Sequence, residues 1–91
     1  MEIKRGTKSF YIGESEDQPL AEMTYVLSGG DLIIIDHTYV AEQLGGQGIG
    51  KRLLEEVTNW AREENKKIIP LCPYAKAQME KNEAYHDLLA K

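Results

Sequence analysis

Cysteine occurs once in this chain of 91 residues, tryptophan and phenylalanine once each, and proline three times. The single thiol, Cys72, excludes an internal disulfide and leaves no partners for a structural zinc ion, so a reducing, cytoplasmic setting and no metal are expected. Long apolar runs are missing too. No uninterrupted apolar stretch approaches the roughly 18 residues of a spanning helix, so no membrane association is expected. The first residues, Met-Glu-Ile-Lys-Arg, alternate charge with apolar groups and do not read as a signal peptide. Nor is there a basic excess. Lys and Arg number 11 against 15 Asp and Glu, a net charge of -4, and they are spread along the chain. That excludes the broad electrostatic footprint of a nucleic-acid binder, so any anionic ligand must be held locally.

What is present is the composition of an ordinary soluble globular protein, 42% hydrophobic and 29% charged, in a length that fits one domain over residues 1–91, a monomer or weak dimer. From Ile3 to Val40 short strand patterns are separated by turn signals. Ile3 to Arg5 and Ser9 to Ile12 make a small hairpin. Leu20 to Leu27 alternates Ala21, Met23, Tyr25 and Leu27 against Glu22, Thr24 and Val26, the pattern of a half-buried strand. Ser28-Gly29-Gly30-Asp31 tolerates the positive φ of a tight turn and delivers the chain into Leu32-Ile33-Ile34-Ile35-Asp36. Four apolar residues in a row predict a strand covered on both faces, continuing to Val40 as the longest and most central of the sheet.

Ile49, Leu53, Leu54, Val57, Trp60 and Ala61 recur at helical spacing with charges on the other face, predicting an amphipathic helix of about four turns. Lys67 to Cys72 then reads as a short buried strand, where Pro70 argues against pairing on both sides. Pro73 starts a further helical stretch to Lys81, and Glu83 to Leu89 follows, with Asn82 as a cap. Strand, loop, helix, strand makes a βαβ unit with parallel strands. The expected class is therefore α+β: a mixed sheet with antiparallel N-terminal strands, a parallel βαβ unit, and flanking helices.

The four glycines of Gly45-Gly46-Gln47-Gly48-Ile49-Gly50 lie between that long strand and the long helix. Successive N–H groups can converge on one point there, and the helix dipole adds positive potential, so the point suits an anion. Lys51 and Arg52 follow in the first helical turn, where cations oppose the dipole by roughly 0.3 to 1 kcal/mol each. A bound phosphate rationalises them; a plain tight connection with two solvated cations is the bland alternative. Gly45 to Arg52 also fits G-x-x-x-x-G-K, but Arg52 stands where a P-loop carries Ser or Thr for magnesium. The dinucleotide fingerprint needs a glycine at position 51, which is Lys51.

Here the sequence resembles the GNAT superfamily of N-acetyltransferases, whose acetyl-CoA motif Q/R-x-x-G-x-G/A opens the long helix after the central strand. Gly48 and Gly50 match its glycines, while Gly45 stands where the family has Gln or Arg. His37-Thr38-Tyr39-Val40 and Ile68-Ile69-Pro70-Leu71-Cys72-Pro73-Tyr74 are similar to the very short, single-domain YjdJ-type branch. The resemblance spans about the whole chain and is strongest from Ile34 to Leu89. It implies acetyl-CoA as co-substrate, with the pyrophosphate on Gly45, Gly46, Gln47, Gly48, Ile49, Gly50, Lys51 and Arg52. It also implies that the parallel strands splay around the pantetheine arm, with main-chain groups at Tyr39 and Val40 beside the thioester.

The implied reaction is direct attack of an amine, on a small molecule or a protein, upon the thioester in a ternary complex. Tyr74 resembles the family's acid for the leaving thiolate. Cys72, ending the second parallel strand before a helix N-terminus, is a candidate nucleophile or acid, or a small core residue. His37 and Glu42 are candidate bases, against the readings of a sheet histidine and a solvated acid. The rival reading of the whole chain is a non-catalytic CoA-binding or protein-interaction module, since so short a chain has little surface left for an acceptor pocket.

Overall fold

The computed structural model describes residues 2–90. One sheet runs in the order β1 (Lys4–Arg5), β2 (Ser9–Ile12), β3 (Ala21–Ser28), β4 (Leu32–Val40), β5 (Lys67–Pro70). The first four strands pair antiparallel, and β4 and β5 pair parallel, as the turn signals and the βαβ spacing require. β4 is the longest strand and is paired on both sides, although β3 holds the middle place in the order.

Two helices cover the sheet. α1 (Ile49–Glu63) buries Leu53, Leu54, Val57 and Ala61, and the steps of three and four residues from Leu53 and Leu54 to Val57 and on to Ala61 place them on one stripe of the helix. Each large aliphatic side chain so buried contributes about 1.5 to 3 kcal/mol. Asn65, in the left-handed region at φ 56°, ends α1, and the Lys66 N–H then closes back on the Ala61 carbonyl at 2.8 Å, satisfying a helix-end acceptor. α2 (Pro73–Lys81) starts with its proline in the first turn, where a missing N–H costs nothing.

Buried side chains of both helices join Phe10, Met23, Ile33, Ile35 and Ile68 in one cluster. Both helices thus pack on the same face, and the sheet's other face carries Val26, Ile34, Asp36 and His37. This corrects the expectation of a strand covered on both faces: Ile33 and Ile35 are fully buried, but Leu32 and Ile34 only half-buried. Trp60 packs at the rim of the core against Phe10 and Tyr25, with the Arg5 guanidinium over its ring.

The sheet's margins are closed by short local devices. Asn82 accepts from the Ala84 N–H and opens a 3₁₀ helix, Glu83–Leu88; the following Leu89–Ala90 segment bridges to Ile68 and covers the outer edge of β5. Pro70 ends β5 opposite Ile35, paired on that side. At the opposite margin the Glu16 carboxylate gathers the Thr7 and Lys8 N–H groups and the Thr7 and Ser9 hydroxyls at 2.7 to 3.1 Å. Desolvation pushes this carboxyl upward, but the four donors outweigh it and hold the pKa at about 2.

Candidate active site

Ile35 and Pro70 are the last partners of β4 and β5. Beyond them the Leu71 and Cys72 N–H groups both turn onto the Ile35 carbonyl, at 2.9 and 3.0 Å, and β4 runs on alone to Val40. The strands therefore part, leaving one edge of β4 without a strand beside it. Ala41 donates to the Leu20 carbonyl on the β3 side, so alternation turns the main-chain groups of Tyr39 toward β3. Those of Thr38 and Val40 face the parted side.

A bulge decides which side chains stand there. The register pairs Tyr25 with Ile35 but Thr24 with His37, so Asp36 is an extra residue in β4. One extra residue exchanges the two faces for everything after it. Ile33 and Ile35 face the helices before the bulge; Thr38 and Val40 do so after it, opposite the buried Met23 and Ala21.

Past Val40 the chain makes a short 3₁₀ turn, Glu42–Leu44, and enters the glycine loop. Gly46 and Gly48 lie in the left-handed region, at φ 79° and 70°, and a Cβ built on either meets nothing within 4 Å. The space above the loop is open. Gly48 caps α1 without any side-chain hydrogen bond, and the first turn holds no acidic residue. Arg52 is the first residue whose N–H reaches an intrahelical acceptor, Gly48, at 3.1 Å. The N–H groups of Ile49, Gly50 and Lys51 are therefore left pointing out of the helix end. Donors, dipole and open space together fit a pyrophosphate.

Gly50 is small for a second reason. A Cβ there would fall 2.8 Å from both Cζ and Oη of Tyr74, so the phenol from α2 lies directly against the start of α1. Burial, then the neighbouring Tyr85 and Cys72, push this phenol above its ordinary pKa, keeping it protonated. Cys72 is 5% exposed, and its Sγ lies 3.1 Å from Thr38 Oγ1 across the parted strands. Thr38, Val40, the glycine loop and Tyr74 enclose a groove of about 330 Å³. A larger hollow, about 730 Å³, lies by Lys4, Gly13 and Gln18 and includes none of these groups.

Of the residues singled out in the sequence, the groove thus gathers Val40, Gly45, Gly46, Gly48, Ile49, Gly50 and Tyr74, with Cys72 touching its Thr38 wall. Gln47, Lys51 and Arg52 are exposed around the loop. Tyr39 and His37 are exposed on the opposite face of the sheet, placed there by the bulge, and Glu42 is an exposed acid of the 3₁₀ turn. Sequence reasoning missed Thr38. Its signal was the need of buried Met23 and Ala21 for small or apolar partners: Thr38 and Val40 serve, whereas an unbroken register would have set His37 and Tyr39 opposite them.

A parallel pair splayed at its end, with outward N–H groups at an open glycine turn and a groove leading to a protonated phenol, is an arrangement that can hold a phosphate-bearing ligand along a strand edge. The family of GCN5-related N-acetyl-transferases matches residues 9–88, and the chain belongs to it. In structure it is similar to a GCN5-like protein from Staphylococcus aureus solved in solution by NMR, with a TM-score of 0.82 and 49% identity. That match covers 98% of this chain and 87% of the other. A GNAT family acetyltransferase from Elizabethkingia anophelis, crystallised with acetyl-CoA bound, shares the fold at a TM-score of 0.57 and 20% identity, over 87% of this chain and 54% of its own. No protein of curated function matches the chain. Among the described residues no helix is long and apolar enough to cross a membrane, and no cluster of metal-ligating side chains occurs.

Proposed function

We propose that this chain is an acetyl-CoA-dependent N-acetyltransferase that moves the acetyl group to an amine by direct attack in a ternary complex. One observation carries the reading: the open, positive-φ glycine turn with three outward N–H groups leads into the unpaired edge of β4 and ends at Tyr74. The N–H groups of Ile49, Gly50 and Lys51 would hold the pyrophosphate, with Gln47, Lys51 and Arg52 around it. Thr38 and Val40 offer the main-chain edge along which an extended pantetheine arm pairs as a strand would.

Acetyl-CoA supplies the activated acyl group. The amine nitrogen forms a bond to the acetyl carbon, the carbon–sulfur bond breaks, the Tyr74 phenol protonates the departing thiolate, and the amine proton passes to water, from which Tyr74 regains its own. A phenol held above its usual pKa stays protonated through neutral pH and is suited to that donation. The Val40 N–H, on the parted side of β4, would stabilise the carbonyl oxygen as it gains charge. His37, on the far face, takes no part in this scheme. A reducing cytoplasm suits the one buried, unpaired thiol.

The test is release of CoA from acetyl-CoA in the presence of a panel of primary amines and lysine-bearing peptides. Release that requires both protein and amine is expected. Saturable acetyl-CoA binding without release from any amine would contradict transfer and leave a CoA-binding module.

A further inference from the structure

Thr38 has a hydroxyl inside the groove to which the scheme above gives no task. It comes from the strand edge that faces the parting of β4 and β5, and the bulge at Asp36 turns its side chain to the helix face. It hydrogen-bonds with the Cys72 thiol, 3.1 Å away and almost fully buried. A threonine hydroxyl has one hydrogen to give and two lone pairs to receive. When the thiol donates its hydrogen to Thr38 Oγ1, the hydroxyl hydrogen is released to point elsewhere, and the groove is the open direction. Two residues further along the same edge, the Val40 N–H faces the same side.

We propose that the Thr38 hydroxyl, oriented by Cys72, is a second donor beside the Val40 N–H to the carbonyl oxygen of the bound acetyl thioester. The idea rests on the acetyl-CoA reading and assigns Thr38 direct contact with the reacting group. The hydroxyl keeps its proton throughout: it strengthens its hydrogen bond as the carbonyl oxygen becomes negative and relaxes when the carbonyl re-forms. Cys72 is then a positioning residue, which explains a buried thiol placed against a hydroxyl rather than against carbon.

The test needs no knowledge of the acceptor. Calorimetry compares acetyl-CoA with S-ethyl-CoA, a thioether of the same length without the carbonyl, for the parent chain, Thr38→Val and Thr38→Ser. Infrared spectra of carbonyl-labelled acetyl-CoA report the thioester stretch in each complex. Of the parent's preference for acetyl-CoA, about five-fold is expected to come from Thr38, the worth of one neutral hydrogen bond beside that of Val40, and the carbonyl frequency is expected to fall on binding. Thr38→Val should lose about that share and part of the frequency shift, yet bind S-ethyl-CoA as the parent does; Thr38→Ser should restore both. Equal preference and an unchanged carbonyl stretch in Thr38→Val would overturn the assignment, as would a serine variant that behaves like valine, which would make the methyl group the part that matters. If the parent binds neither ligand, it is the acetyl-CoA reading that fails, and the inference falls with it.

Discussion

Placing a carboxylate in the glycine cradle separates folding from binding, because the two respond in different ways to Gly48→Asp. At Gly48 a new Cβ meets nothing within 4 Å, so there is no clash to relieve. The cost is the left-handed conformation at φ 70°, about 1 kcal/mol for an L residue and less for Asp or Asn. A negative charge at the start of α1 returns about 0.3 to 1 kcal/mol through the helix dipole. Stability should therefore stay within about 1 kcal/mol of the parent, or about 4–8 °C in Tm for a domain this size. Binding has no such compensation. One carboxylate about 4 Å from one phosphate charge, at the effective dielectric of a protein surface, repels by about 4 kcal/mol, on the order of a thousand-fold in Kd. Thermal melts and calorimetric CoA titrations of Gly48→Asp and of neutral Gly48→Asn read the two effects apart. Near-native melting with a large loss of affinity in the Asp variant and a small one in Asn is expected. A folded Gly48→Asp that binds CoA within about three-fold of the parent would refute the cradle.

Gly50→Ala gains about 1 kcal/mol of helix propensity but drives a methyl group to 2.8 Å from the Tyr74 ring. The ring must swing out, so its raised pKa should fall toward the ordinary tyrosine value in an NMR titration while overall stability changes little; an unmoved titration would show that Gly50 does not seat the phenol. Tyr74→Phe should lower kcat by about 10²- to 10⁴-fold with acetyl-CoA affinity unchanged. Because Tyr74 titrates above its usual value, the parent's rate should show no loss assignable to this acid below about pH 10. Equal rates in the two proteins would remove Tyr74 from the mechanism. Glu16, held at about 2 when folded against 4.5 as a free side chain, contributes stability that is complete above pH 4.5 and is lost as pH falls through about 2. Glu16→Gln should melt about 4–8 °C lower at neutral pH, for about 1 kcal/mol of lost hydrogen bonding, and show a shallower decline in acid; an unchanged acid profile would remove Glu16 from the account.

The sequence carried the architecture because each element had its own local code. The alternation of Ala21, Met23 and Tyr25 marked β3, the 3–4 spacing from Ile49 to Ala61 marked α1, and Pro73 marked the start of α2. The glycine loop was legible for the same reason, since left-handed backbone at Gly46 and Gly48 favours residues without a Cβ. The bulge was not. Its extra residue, Asp36, lies just after Leu32-Ile33-Ile34-Ile35, a run with no alternation to betray a change of face, and no glycine announces it. Carrying the register past it without the slip would face His37 and Tyr39 toward the helices, yet the structure gives that side to Thr38 and Val40. The seating of Tyr74 on Gly50 was equally hidden, because it depends on how α1 and α2 lie side by side rather than on either segment.

Calorimetric titration with acetyl-CoA, run beside ATP with magnesium, tests the central claim most directly. The account predicts saturable one-to-one binding of acetyl-CoA, at most weak competition from ATP, and no dependence on magnesium. Binding of ATP that requires magnesium, or of neither ligand, would contradict it and reduce the glycine loop to another task or to a structural turn.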